Sequence, residues 1–123
     1  MDTDLMDEAV EEFQIAAGLA KPGDGTPRYL QCCNLIGHCF MKKGIPRLAC
    51  TWLKKGLSAP GHTEDEYQAL RFELGVAYEQ MGDLDRAIET FTEVYGISVS
   101  YRGVAAKLNE LKRLKDQGSD VRG

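Results

Sequence analysis

Leu74-Gly75-Val76-Ala77-Tyr78-Glu79-Gln80-Met81-Gly82, followed by Asp83-Leu84-Asp85-Arg86-Ala87-Ile88-Glu89-Thr90-Phe91-Thr92-Glu93-Val94-Tyr95, is the stretch whose reading decides the fold. It has a counterpart upstream. Residues 36–57 read Ile36-Gly37-His38-Cys39-Phe40-Met41-Lys42-Lys43-Gly44, then Ile45-Pro46-Arg47-Leu48-Ala49-Cys50-Thr51-Trp52-Leu53-Lys54-Lys55-Gly56-Leu57. Gly37 falls on Gly75, Phe40 on Tyr78, Gly44 on Gly82, Ala49 on Ala87 and Leu53 on Phe91, every pair 38 residues apart. A fixed offset among residues that packing constrains is the mark of an internal repeat. Each copy joins two apolar-periodic segments across a glycine, which describes two helices and a sharp reversal.

A partial third copy opens the chain. Met6, Ala9, Val10, Phe13, Ala16 and Ala17 share the spacing of Leu84, Ala87, Ile88, Phe91, Val94 and Tyr95, so only the second half of a unit is present there. Punctuation sets the remaining boundaries. A helix over 4–20 ends at Lys21-Pro22-Gly23-Asp24-Gly25. Thr26 is placed to cap the next helix, with Pro27 in its first turn. Pro46 opens a third helix. Thr63, with Glu66 three residues on, forms the signature of a capping box. Asp83 caps the helix that follows, and Ser100 a last one over 101–116, with Val104, Ala105, Leu108 and Leu111 as its apolar stripe. The reading is all-α, about six helices in one domain over 1–116. It comprises a half repeat (4–20), two repeats (26–57 and 63–96), a capping helix (101–116) and a flexible polar tail over 117–123.

The packing logic is large beside small. Gly75 and Ala87, like Gly37 and Ala49, mark places where two helices approach closely. Tyr78 and Phe91, like Phe40 and Leu53, fill the space between them.

Composition agrees and excludes several classes of function. At 123 residues with 43% apolar and 28% charged residues, the chain is an ordinary globular domain. Its net charge of −4 argues against a nucleic-acid partner, which needs a basic footprint. No apolar run approaches the roughly 18 residues of a membrane span. The acidic start, Met1-Asp2-Thr3-Asp4, does not open a secretory signal. A cytoplasmic location is expected. Cys32, Cys33, Cys39 and Cys50 contain no C-x-x-C pair and read as reduced, small apolar core residues rather than metal ligands.

Arg71-x-x-Leu74-Gly75-x-x-Tyr78 followed by Ala87-x-x-x-Phe91 resembles the tetratricopeptide repeat signature. Cys33-x-x-Ile36-Gly37-x-x-Phe40 with Ala49-x-x-x-Leu53 resembles it more weakly. Three features depart from the family. Its large first-position aromatic is Arg71 or Cys33 here, its late proline is Val99, and the period is 38 instead of about 34. The resemblance implies a right-handed superhelical array of antiparallel helix pairs, and a piece of a larger, bacterial protein of this family. It implies a concave groove that holds a partner polypeptide. The groove positions are Gln31, Asn34, His38 and Met41 from the first repeat and Ala69, Phe72, Val76 and Glu79 from the second. Phe72 and Val76 lie four apart, outside the stripe of Leu70, Leu74, Ala77, Tyr78 and Met81. They either meet the last helix or anchor an apolar partner side chain. One subgroup of the family clamps the carboxylates of chaperone tails. The corresponding residues here are Asn34, His38, Phe72 and Val76, of which only Asn34 could serve, so no chaperone-tail binding is expected.

Other residues carry no chemistry in this reading. His38 and Cys39 are helix neighbours pointing about 100° apart, so they cannot share a proton productively. Glu64, Asp65 and Glu66 complement a helix N-terminus. Gly23-Asp24-Gly25 lacks the lysine and preceding strand of a phosphate loop. No nucleophile, metal set or cofactor loop is visible. The expected function is non-catalytic protein–protein interaction without a cofactor or metal. The alternatives are self-association, as a homodimer covering the stripe of Met6, Ala9, Val10 and Phe13, or a small chaperone for secreted proteins. Trp52 has no repeat counterpart and stays unassigned.

Overall fold

A computed structural model describes residues 3–21 and 26–122. Among the described residues six helices follow one another: α1 (Thr3–Ala20), α2 (Arg28–Lys42), α3 (Pro46–Ser58), α4 (Glu64–Gln80), α5 (Leu84–Ile97) and α6 (Val104–Arg122). A single 3₁₀ turn, Tyr101–Gly103, leads into α6. No strand occurs among the described residues. The all-α reading holds.

Each helix packs mainly on the next in sequence, and α2 also reaches α4. That pattern is a stack of hairpins and not a closed bundle. The first hairpin is antiparallel: Asp7, early in α1, pairs with Lys43, just past the end of α2. Its inner face is Val10, Ala17 and Ala20, all buried, with Met6, Ala9 and Phe13 half-buried beside them. The stripe expected to lie open for a second copy is therefore covered in part within the chain: Val10 is buried and Met6, Ala9 and Phe13 are half-buried against the core.

Two glycines set the helix spacing. A Cβ on Gly75 would lie 2.7 Å from Cε1 of Phe91, and one on Gly37 would lie 3.0 Å from Leu53. Phe91, Leu53, Ala49 and Ala87 are all essentially inaccessible, so the notch-and-knob pairing operates in both repeats. Gly56 is a third notch that the repeat comparison did not single out. A Cβ there would meet Leu70 of α4 at 2.8 Å and Cys33 of α2 at 3.2 Å. It lets α3 sit between two other helices. Gly44 and Gly82 turn the chain with φ of +77° and +79°, a region other residues rarely adopt.

The caps are unevenly distributed. Thr63 and Glu66 form the full capping box, and the Asp83 side chain accepts from the Arg86 N–H at 3.1 Å. The cap position of α2 is Pro27, one residue later than the expected Thr26, and its carbonyl accepts from Gln31 N–H at 2.9 Å. Ser100 heads the 3₁₀ turn without a side-chain cap bond, so α6 proper begins at Val104. The α6 backbone continues through Arg122, beyond the expected end at 116. The breaker cluster at 22–25 lies outside the described residues.

Candidate functional site

The face shared by α2 and α4 holds a cavity of about 180 Å³. Pro27, Leu30, Ala69 and Leu70 give it apolar walls, and Gln31, Asn34 and Glu66 supply polar groups. Helical spacing explains the grouping: Pro27, Leu30, Gln31 and Asn34 recur on one side of α2, and Glu66, Ala69 and Leu70 on the facing side of α4. Three of the expected groove residues, Gln31, Asn34 and Ala69, are thus brought together. Leu30 and Leu70 are buried, so the floor is fixed by the core itself.

Glu66 lines the cavity and is held in place by the start of α4. Its Oε1 accepts from Thr63 N–H at 3.0 Å and from the Thr63 hydroxyl at 2.9 Å. These two bonds, the backbone one first, hold its carboxyl below the ordinary carboxylate value, and His62 adds to the effect. The His62 side chain is 1% exposed, with Nδ1 3.7 Å from Glu66 Oε2, and its Nε2 has no partner among the described residues. Tyr67 braces the same corner. Its hydroxyl donates to the Ala59 carbonyl, and its ring meets that of His62 edge-on at 6.0 Å.

The other expected groove residues are placed differently. Phe72 is buried, packed against Phe91 (ring centroids 5.2 Å apart) and Tyr101 (5.9 Å), with the Arg102 guanidinium 4.4 Å above its ring. It is a core residue shared with the start of α6 and does not offer itself as an anchor. Val76 and Met41 are half-buried against the same core. Glu79 pairs with Lys107 of α6 at 3.1 Å, and Glu73 with Arg102 at 3.2 Å, so this side of α4 is tied to the last helix. His38 is exposed on α2 and lines none of the described cavities.

All four cysteines are buried and unbridged. Burial pushes each thiol up, Cys33 to about 11, opposed by a hydrogen bond with Tyr29. Such thiols are poor nucleophiles. Among the described residues, no group of three or more His, Cys, Asp or Glu is arranged to hold a metal ion.

Residues 69–98, which span most of α4 and all of α5, match the family model of the tetratricopeptide repeat. That segment of the chain carries a tetratricopeptide repeat. No curated protein matches the chain.

Within the repeat, Arg71 stands where the family carries a large aromatic. Its guanidinium bonds to Glu64 and, at 3.1 Å, to Gln68 Oε1, while Gln68 Nε2 donates to the Val94 carbonyl at 3.0 Å. This buried amide ties α4 to α5. Beside it lies a cavity of about 450 Å³, lined by Arg71, Leu74 and Tyr78 of α4, by Lys54 and Leu57 of α3, and by Arg86 and Thr90 of α5. Sequence reasoning did not find it, because its three walls come from helices whose adjacency only the stack defines. Its cations are largely engaged: Arg71 as above, Arg86 with Asp83 at 3.6 Å, and Lys54 over the Tyr78 ring at 5.5 Å. Among the described residues, the Asn34 and Gln31 amides of the groove cavity have no such partners. Trp52 finds its place on α3, half-buried against the core with Lys55 Nζ 4.3 Å above its ring.

Proposed function

We propose that this tetratricopeptide-repeat protein is a non-catalytic interaction module that receives a partner polypeptide along the α2–α4 groove. The observation that carries the reading is the convergence of Gln31, Asn34 and Ala69 on one small cavity with apolar walls. A cavity of that size accepts one partner side chain and not a whole ligand, so affinity comes from a seated side chain plus amide contacts to the backbone on either side. Side-chain amides both donate and accept, which suits an extended main chain. The acidic lining of the cavity at Glu66 favours a partner without a carboxylate at that point.

The free, buried thiols suit a reducing compartment such as the cytoplasm. No helix among the described residues is long and apolar enough to cross a membrane.

The test is a peptide-array screen with the full 123-residue chain, followed by titration of the best peptide. Asn34→Ala and a cavity-filling Ala69→Trp should each weaken binding tenfold or more while the circular dichroism spectrum stays unchanged. Binding that ignores both substitutions would remove the groove from the account. Phe72→Ala is expected to act through stability alone.

A further inference from the structure

The first hairpin carries two exposed seams of identical spacing. On α1 they are Leu5, Glu8, Glu12, Ile15 and Leu19; on α2, Arg28, Gln31, Leu35, His38 and Lys42. Both run i, i+3, i+7, i+10, i+14, and every one of the ten residues is exposed. That interval is the seam of a helix that packs along another helix. The α1 seam lies off the face that Val10, Ala17 and Ala20 turn to α2. The α2 seam lies opposite Cys33 and Gly37, which meet α3.

Leu5, Ile15, Leu19 and Leu35 are 62, 58, 80 and 44% exposed, a concentration of large apolar side chains on one hairpin. The charges interleaved with them are sorted by sign. Those of the α1 seam are acidic, those of the α2 seam basic or imidazole. None of Glu8, Glu12, Arg28, His38 or Lys42 has an ion-pair partner among the described residues. An α1 seam facing another α1 seam would oppose like charges. An α1 seam on an α2 seam sets opposite charges side by side and lays the stems of Arg28 and Lys42 over leucine and isoleucine.

We infer that the first hairpin is a self-association surface on which a second copy of this chain docks, α1 of each copy lying on α2 of the other. One hairpin holds both complementary halves, so a two-fold pairing satisfies both at once. The surface is distinct from the stripe of Met6, Ala9, Val10 and Phe13. The inference does not depend on peptide binding, although Gln31 belongs to both the seam and the groove cavity, so a second copy and a peptide compete.

The experiment is sedimentation of the full chain over a concentration and salt series, with two charge-reversed variants. Glu8→Lys/Glu12→Lys alters only the α1 seam, and Arg28→Glu/Lys42→Glu only the α2 seam. The unaltered chain is expected to move from its 13.6 kDa monomer mass toward twice that value as concentration rises, and to fall back with added salt. Each variant alone should stay monomeric with an unchanged helical spectrum. Their equimolar mixture should restore the dimer, since each seam then meets its opposite. A chain that stays monomeric at millimolar concentration overturns the inference. So does a dimer indifferent to the α2 reversal, or a mixture of two well-folded variants that fails to associate.

Discussion

The two repeats of this chain reach the same backbone arrangement with different chemistry. In α4–α5 the knob is an aromatic ring in a glycine notch, Phe91 against Gly75, and both helices begin with a side-chain cap. In α2–α3 the knob is Leu53 against Gly37, neither helix has a side-chain cap bond, and cysteines fill the positions around them. The family model matches 69–98, which covers most of the second repeat and runs just past its end. Spacing of the notches, and not identity of the knobs, is what the fold requires. The first repeat is stabilised by burial between its neighbours α1 and α4, and the second carries more of its own instructions.

The most forceful way to break this comparison is to remove a knob. Phe91→Ala should cost about 3–5 kcal/mol by urea denaturation, because its ring is wholly buried. Leu53→Ala should cost about 2–4 kcal/mol, and a reversed order would mean the second repeat is not the better-built one. Filling the notches gives a smaller contrast. Gly75→Ala drives a methyl into a ring that has nowhere to move, an expected loss of about 1–3 kcal/mol. Gly37→Ala meets Leu53 at 3.0 Å, a looser approach than the 2.7 Å at Gly75, and the helix preference of alanine, worth about 1 kcal/mol, should offset most of the strain. Equal losses would make the two notches equivalent.

Capping comes next. Thr63→Ala should cost about 1 kcal/mol near neutral pH. The folded chain holds Glu66 below the ordinary glutamate value of about 4.3. The contribution of the box is therefore complete above that value and disappears as pH falls through the lowered one. The penalty of Thr63→Ala should shrink in parallel, and a penalty independent of pH would deny Glu66 its share. The smallest effect is kinetic. The four thiols lie in the first repeat alone, and burial keeps them protonated. Alkylation at pH 8 followed by mass spectrometry should be slow in the folded chain and immediate in urea, with Cys33 last; fast native labelling would show that the first repeat opens readily.

Much of this was legible beforehand because the signals were local or periodic. Gly75 with Phe91, Gly82 at the reversal, and the Thr63–Glu66 box are each announced by residues within one hairpin. The groove cavity was legible in part: Gln31, Asn34 and Ala69 follow from repeat position. Phe72 was legible only as a choice between the last helix and the groove; Tyr101 and Arg102, 29 or more residues away, decide it for the intrachain contact. Gly56 escaped for a similar reason. Its counterpart 38 residues on is Val94, so the repeat comparison hides a notch that serves α4 and not its own hairpin. The large cavity beside Arg71 needs three helices to exist at all.

Arg102 holds φ at +45°, a left-handed conformation that a side chain with a Cβ resists. Among the described residues its contacts lie on α4, in the Phe72 ring beneath it and the Glu73 carboxylate beside it. A bend whose support belongs to another helix cannot form ahead of that helix. The final helix is therefore expected to dock after α4, and hydrogen exchange tests this: its amide protons should exchange before those of α4 and α5. Anything that loosens the second repeat will announce itself at the C-terminal end of the molecule.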